Sequence, residues 1–325
     1  MPTAPVRTTS VLPLLSLAGA VLFWGTSFAA TKVALDSFPP MTVIFLRMAV
    51  AAVAIVPFWR RFPKPEYRRG DWKLLLFAGL CIPCLYYLLE GYAVVFTTSS
   101  QAGVISAIVP LLVGAGAWLF LKERLGARAA VAIAVSLVGV AMLSFGGSAQ
   151  ESAPNPLLGN TLELLAMVSA AGSMLTVKHL SDRYDPWLLT GMQAIVGTVF
   201  FAVPALLSET PAWAAIPWEA WASVAYLGVF VSLGAFGLYN TTLAGMPAGR
   251  AALSINLIPV VALAAGWLVR GEELNALQAV ACAVVVGAVV YAETGPKAVI
   301  DPGAATPGAA AIESAAPAEA DHSRR

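Results

Sequence analysis

The stretch QAGVISAIVPLLVGAGAWLFLKER at residues 101–124 returns in register, with other residues between its fixed points, as RAALSINLIPVVALAAGWLVRGEE at residues 250–273. Pro110 meets Pro259, Trp118 meets Trp267 and Glu123 meets Glu272, all at a separation of 149. The same shift brings Trp72 onto Trp221 and Gly79 onto Gly228. A shift of 146 aligns the earlier part of the chain: Ser27 with Ser173, Lys32 with Lys178 and Pro40 with Pro186. Coincidences of Ala, Leu and Val mean little in apolar sequence, so the weight lies on these Trp, Pro and charged positions. The chain is built twice.

Composition says in what medium. Of 325 residues, 59% are hydrophobic and 11% charged, against about 45–50% and about 25% in a soluble domain. So little charge cannot cover a water-exposed surface, and the class is an all-α polytopic membrane protein. Ten apolar runs follow one another, at 11–35, 40–59, 72–96, 101–121, 127–145, 159–179, 187–207, 218–243, 248–269 and 275–292. They match the roughly 20 residues of a spanning helix, not the alternating 9–11 of a membrane barrel strand. No large soluble domain fits. A net charge of +1 gives no nucleic-acid footprint.

Five spans per repeat is an odd number, so the two halves are expected in inverted orientations. Lys and Arg placement sets the direction. With both termini cytoplasmic, sixteen of the nineteen basic residues fall in inside segments and only Arg270 in an outside loop, Lys32 and Arg47 lying within helices. The expected organisation is a cytoplasmic segment at 1–10, a five-helix module at 11–146, an external linker at 147–157, a second module at 158–293 and a disordered cytoplasmic tail at 294–325. Arg7 with the first apolar run and Ala29-Ala30 has the look of a signal peptide, but the run exceeds the usual 7–15 residues and the repeat requires this helix.

The motif Trp24-Gly25-Thr26-Ser27-Phe28, followed by Lys32, Pro40 and Arg47, resembles the opening of an EamA-type module of the drug/metabolite transporter superfamily. Lys122-Glu123-Arg124-Leu125 after Pro110 is similar to the end of that module's fourth helix. In the second half Tyr239-Asn240, Ala251-Ala252-Leu253, Asn256-Leu257-Ile258-Pro259-Val260 and Gly271-Glu272-Glu273-Leu274 carry the likeness. The resemblance covers residues 13–293. It implies a ten-helix, two-module carrier of small organic solutes in the bacterial inner membrane, often an exporter. Two positions depart from it: Ala170-Ala171 replaces Trp-Gly, and Gln193 stands opposite Arg47.

Ionisable groups inside a bilayer cost about 2.5–3.5 kcal/mol each on insertion scales, so they face cavities and pair. Counting from the run ends at 1.5 Å per residue, Arg47 lies about 10 Å below the outer surface, Glu90 about 9 Å and Lys32 about 5 Å. The expectation is a cluster in which Glu90 neutralises Arg47 and serves as a proton-coupling site, while Lys32 snorkels to the interface. The repeat maps Arg47 to Gln193 and Glu90 to Tyr239, giving a charged outer side and a neutral inner one. Candidate substrate-binding residues are Trp24, Ser27, Arg47, Tyr86, Glu90, Gln193, Tyr239, Asn240 and Asn256, with Ser173 and Gln101 as further hydrogen-bonding groups. For each polar member the competing reading is an interhelical hydrogen bond, worth about 0.6 kcal/mol. Pro110 and Pro259 are predicted mid-helix, as kinks that gate the cavity or merely pack. Glu123 and Glu272 close their helices and suit capping or salt bridges. Cys81-Ile82-Pro83-Cys84 lies in an apolar run without a second ligand pair and reads as inert. No metal or cofactor is expected.

No GxxxxGK[ST] phosphate loop occurs. The leading reading is a secondary-active transporter of a small organic metabolite or drug-like solute, its cavity lined by helices 1–4 and 6–9 and buttressed by helices 5 and 10. The alternative, an integral-membrane enzyme acting on lipid-linked substrates, would want an interfacial His with Asp or Glu, and only His179 and His322 exist. The expected partners are the substrate, the lipid bilayer and protons, with monomer and homodimer both open.

Overall fold

In the computed structural model, which describes residues 11–121, 127–145, 153–245 and 257–293, every regular element among the described residues is helical. Lipid offers the backbone no hydrogen bonds, and a helix satisfies its own within one segment. Helix α1 spans Val11–Leu35, and α2 spans Pro40–Ile55 with a 3-10 extension at Val56–Arg61. The third apolar run divides into α3 (Asp71–Gly79) and α4 (Tyr86–Phe96), joined by a π-helical stretch at Leu80–Leu85. The fourth divides into α5 (Ser99–Ile105) and α6 (Val109–Leu121) around a 3-10 turn at Ser106–Ile108. Then come α7 (Ala127–Phe145), α8 (Pro156–Leu180) and α9 (Pro186–Leu207). A second π-helical stretch, Leu227–Ala235, joins α10 (Trp218–Tyr226) to α11 (Phe236–Gly245), before α12 (Ile258–Arg270) and α13 (Ala276–Glu293). Shifted by 149, the first π stretch falls inside the second.

Seven of the described helices are long and apolar enough to cross a membrane, while Ala130–Leu143, Ile258–Arg270 and Ala276–Tyr291 are apolar but shorter. Leu206, Leu207, Val199, Trp267 and Leu268 point outward, as side chains facing lipid tails do. Two expectations shift. α8 begins at Pro156, inside the expected linker, because Asn155 Oδ1 accepts from Leu158 N at 3.1 Å and Pro156 occupies the first turn, where its missing N–H costs nothing. Pro259 is not mid-helix among the described residues: it stands in the first turn of α12, as Pro110 stands second in α6. Asn256, Glu123, the Ala251-Ala252-Leu253 motif, the 1–10 segment and the 294–325 tail lie outside the described residues.

The connections define two faces. α1 ends, α2 begins and α12 ends at one of them, where Arg270 pairs with Asp36. α4 ends and α8 begins there too, with Asn155 N donating to Phe96 O at 3.1 Å. α3 begins and α8 ends at the other, where Arg183 pairs with Asp71. α1 and α8, which the repeat equates, therefore run in opposite directions.

Among the described residues, each apolar cluster draws on both halves. α2 packs on α9, α4 on α8, α1 on α12 and α7 on α13. The main apolar cluster joins Trp24, Phe28, Met48 and Tyr87 to Phe201, Phe236 and Tyr239. Gly25 lets α1 meet α12 closely, since a Cβ there would stand 2.5 Å from Val261 Cβ.

Candidate functional site

The halves meet at the two π-helical stretches. In the first, Ile82 leaves helical geometry (φ −127°, ψ 123°) and Pro83 follows, so carbonyls of this turn lose their helical donors. Helices α8 and α9 replace them. Ser169 Oγ donates to Cys81 O at 2.9 Å and Ser173 Oγ to Ala78 O at 3.3 Å. Gln193 Nε2 donates to Ile82 O at 3.0 Å and to Ser173 Oγ at 3.2 Å.

The second stretch receives Arg47 from α2. Arg47 Nε donates to Ser232 Oγ at 3.0 Å, its Nη1 lies 3.5 Å from Glu90 Oε2, and its guanidinium covers the Tyr87 ring at 4.3 Å. Tyr86 OH donates to Glu90 Oε1 at 2.7 Å, and Tyr87 OH to Ser232 Oγ at 3.3 Å. Arg47 is 2% exposed and Glu90 3%. So dry an ion pair is stable only with its remaining hydrogen-bonding positions filled, and the two tyrosines and Ser232 fill several of them.

Tyr86 also lines a cavity of about 40 Å³, with Trp24, Ser27, Ile82, Met167 and Phe236. Such a space holds about one water and is closed to a metabolite. Its walls come from both halves and, among the described residues, from neither α7 nor α13. Trp24 stands edge-on to Phe236 and Tyr239, centroids 5.1 Å apart in each case, and its Nε1–H has no partner among the described residues. On the Asp36 face a vestibule of about 1100 Å³ is lined by Lys32, Asp36, Tyr92, Glu209 and Arg270, among others. On the opposite face the loops are cross-tied. Asp71 accepts from Arg183 Nη1 at 2.5 Å and Nη2 at 3.0 Å, from Tyr184 OH at 3.1 Å and from Arg68 N at 2.9 Å.

Both halves match one model, that of the EamA-like transporter family, at residues 11–145 and 157–293. The chain belongs to the EamA-like transporter family. Among its relatives are the uncharacterized transporter YetK of Bacillus subtilis (strain 168), 25% identical with 84% of each chain covered. A probable terminal-alkyne amino-acid exporter of Streptantibioticus cattleyicolor is 27% identical, covering 78% of this chain and 83% of its own. A solved crystal structure, 20% identical, covers 88% of this chain and 99% of its own at a TM-score of 0.62, a likeness of fold alone.

In this EamA-like chain the structure gathers Arg47, Tyr86 and Glu90 into one cluster, with Trp24 and Ser27 at the cavity beside it. Ser27 Oγ donates to Trp24 O of its own helix at 2.6 Å. Tyr239 packs edge-on against Trp24. Asn240 Nδ2 donates to Thr190 Oγ1 at 3.1 Å, and Gln193 is spent on the Ile82 break, so both tie helices together. Lys32 is buried and lines the vestibule. Glu272 caps α5, accepting from Ser99 N at 2.9 Å and Ser100 N at 2.8 Å.

One group escaped the sequence reading. Glu163 on α8 is 0% exposed, and neither carboxylate oxygen has a hydrogen-bond partner among the described residues. Beside it, Asn160 Nδ2 donates to Gln101 Oε1 at 2.9 Å and Thr97 Oγ1 to Asn160 Oδ1 at 2.7 Å. The available signal was a lone Glu within Leu162-Glu163-Leu164-Leu165, like Leu88-Leu89-Glu90. The helix begins at Pro156, not at 159, which sets Glu163 seven residues from its start.

Proposed function

We propose that the protein is a secondary-active carrier that exports a small, amino-acid-like organic solute across the inner membrane by alternating access, in exchange for protons. The observation that carries this reading is the cavity of about 40 Å³ at the seam of the halves, too small for a metabolite, with an open vestibule on one face and cross-tied loops on the other. An alternating-access carrier narrows its central space in this way while one face is open and the other is tied. Ten spans in two inverted modules, with both termini in the cytoplasm, supply two related conformations. The opposed directions of α1 and α8, and the basic residues crowding one side, support this. Pro110 and Pro259, each opening a helical segment at an equivalent place, are the proposed hinges. The exporter among the relatives supports the solute class and the direction.

The test compares intracellular and medium metabolite pools with and without overexpression, then measures flux of the responding compounds in vesicles holding the purified protein. A depleted intracellular pool together with flux in vesicles is expected. Unchanged pools and vesicles no leakier than protein-free ones would sink the proposal.

A further inference from the structure

We propose that the exchanged proton is held by Glu163, while Glu90 stays ionised against Arg47. This rests on the proton-driven reading above and names its residue.

Two buried carboxylates occupy helices that pack together, α4 and α8. Their surroundings differ. Glu90 has the Arg47 guanidinium and the Tyr86 hydroxyl, so its charge is met. Glu163, equally dry, has no donor on either oxygen among the described residues. Among the described residues the surrounding elements offer it no cation. From α4 come Glu90 and Tyr86. The π stretch carries Cys81 and Cys84, and α11 carries Tyr239. Between Ser99 and Leu121 no ionisable side chain occurs. Asp71 and Lys73 of α3 stand at the far face, as do Lys178 and His179 of α8 itself. Arg128 of α7 covers the Tyr291 ring and donates to Tyr291 O. An ionised carboxylate without donor or counter-ion is strongly disfavoured in such a place. One arginine balances one carboxylate, so the other holds a proton.

Position gives that proton a route. Glu163, Met167, Ala170 and Met174 share one face of α8 by their spacing, and the last three line the central cavity. Glu163 stands one turn beyond them. One turn further toward the Asp36 face begins the buried Asn160, Gln101 and Thr97 network. The carboxyl thus lies between the cavity and a polar ladder leading to a membrane face. When the cavity opens, the Glu163 O–H bond breaks, the proton passes to water and the carboxylate electron pair stays behind. Reprotonation from the other side completes the exchange.

The experiment treats the full-length protein in lipid vesicles with dicyclohexylcarbodiimide, an apolar reagent that adds to protonated carboxyls, over a range of pH. Mass spectrometry of peptides locates the label. Label is expected on Glu163, fading as pH rises, absent from Glu90, retained in Glu90→Gln and lost in Glu163→Gln. Label on Glu90 in place of Glu163, or none on Glu163 at any pH, overturns the proposal. The wild-type labelling needs no variant to fold and no substrate. In the same vesicles, a radiolabelled amino-acid mixture under one unit of pH gradient accumulates about tenfold for one-to-one exchange. Glu163→Gln should bring that to no accumulation while keeping downhill exchange, and tenfold accumulation in the variant overturns the assignment. If wild type carries none of the mixture, the solute reading fails while the labelling still decides where the proton sits.

Discussion

The two π-helical stretches are the same backbone device given different chemistry. At Leu80–Leu85 a proline and a non-helical Ile82 break the helix, and neutral groups, Gln193 and two serines, take up the carbonyls. At Leu227–Ala235 no proline occurs, and the visitor is Arg47, which brings Glu90 with it. The helix contacts that frame the breaks also correspond. Gly79 faces Val196, and Gly228 faces Val50, the position the repeat equates with Val196. Duplication preserved the architecture, and divergence at Arg47/Gln193 and Glu90/Tyr239 put the charge at one end only.

Four substitutions test whether the two stretches differ in this way. The largest effect is expected from Arg47→Ala, which strands Glu90 and costs about 3–5 kcal/mol. Denaturant titration in micelles would read it, and the paired change Arg47→Gln with Glu90→Gln should recover most of the loss. A single variant as stable as wild type would mean that the pair is not the buried unit described. Next comes Gly228→Ala, whose Cβ would meet Val50 Cβ at 2.6 Å and Arg47 O at 2.8 Å. Backbone cannot yield as a side-chain tip does, and a loss of about 1–3 kcal/mol is expected in the same titration. Gln193→Leu removes the donor to Ile82 O and should cost about 0.6–1.7 kcal/mol. It should also speed amide exchange in the first π stretch, and unchanged exchange there would refute the capping role. The smallest effect belongs to Gly79→Ala, where the nearest atom is 3.5 Å from the new Cβ. Helix propensity then gives a gain of about 0.5 kcal/mol, and a loss as large as that of Gly228→Ala would show the two contacts to be alike after all.

Part of the site is readable along one helix. Tyr86 and Glu90 are four residues apart, so their hydrogen bond follows from helix spacing. Arg47 with Glu90 follows from comparable depth and opposite charge. The π stretch at Leu227–Ala235 is not readable, because LGVFVSLGA suits an ordinary helix and opens only where Arg47 takes Ser232. Pro83 was visible, but the consequence depended on donors 86 to 110 residues further on. Asn240 and Gln193 look like pocket residues until Thr190 and Ile82 are found opposite them.

That the chain is helical, apolar and built twice is already written in its residues. Lipid leaves the backbone no solvent partner, so local hydrophobicity decides which segments become helices, and the repeat persists in its Trp, Pro and Glu positions. Which buried polar groups are matched depends on how the helices pack. Arg47 and Glu90 balance each other across helices 43 residues apart in sequence, while Glu163, with the same side chain as Glu90, finds no donor among the described residues. Counter-charge is a property of neighbours in space, and in a helical membrane protein those neighbours come from distant sequence.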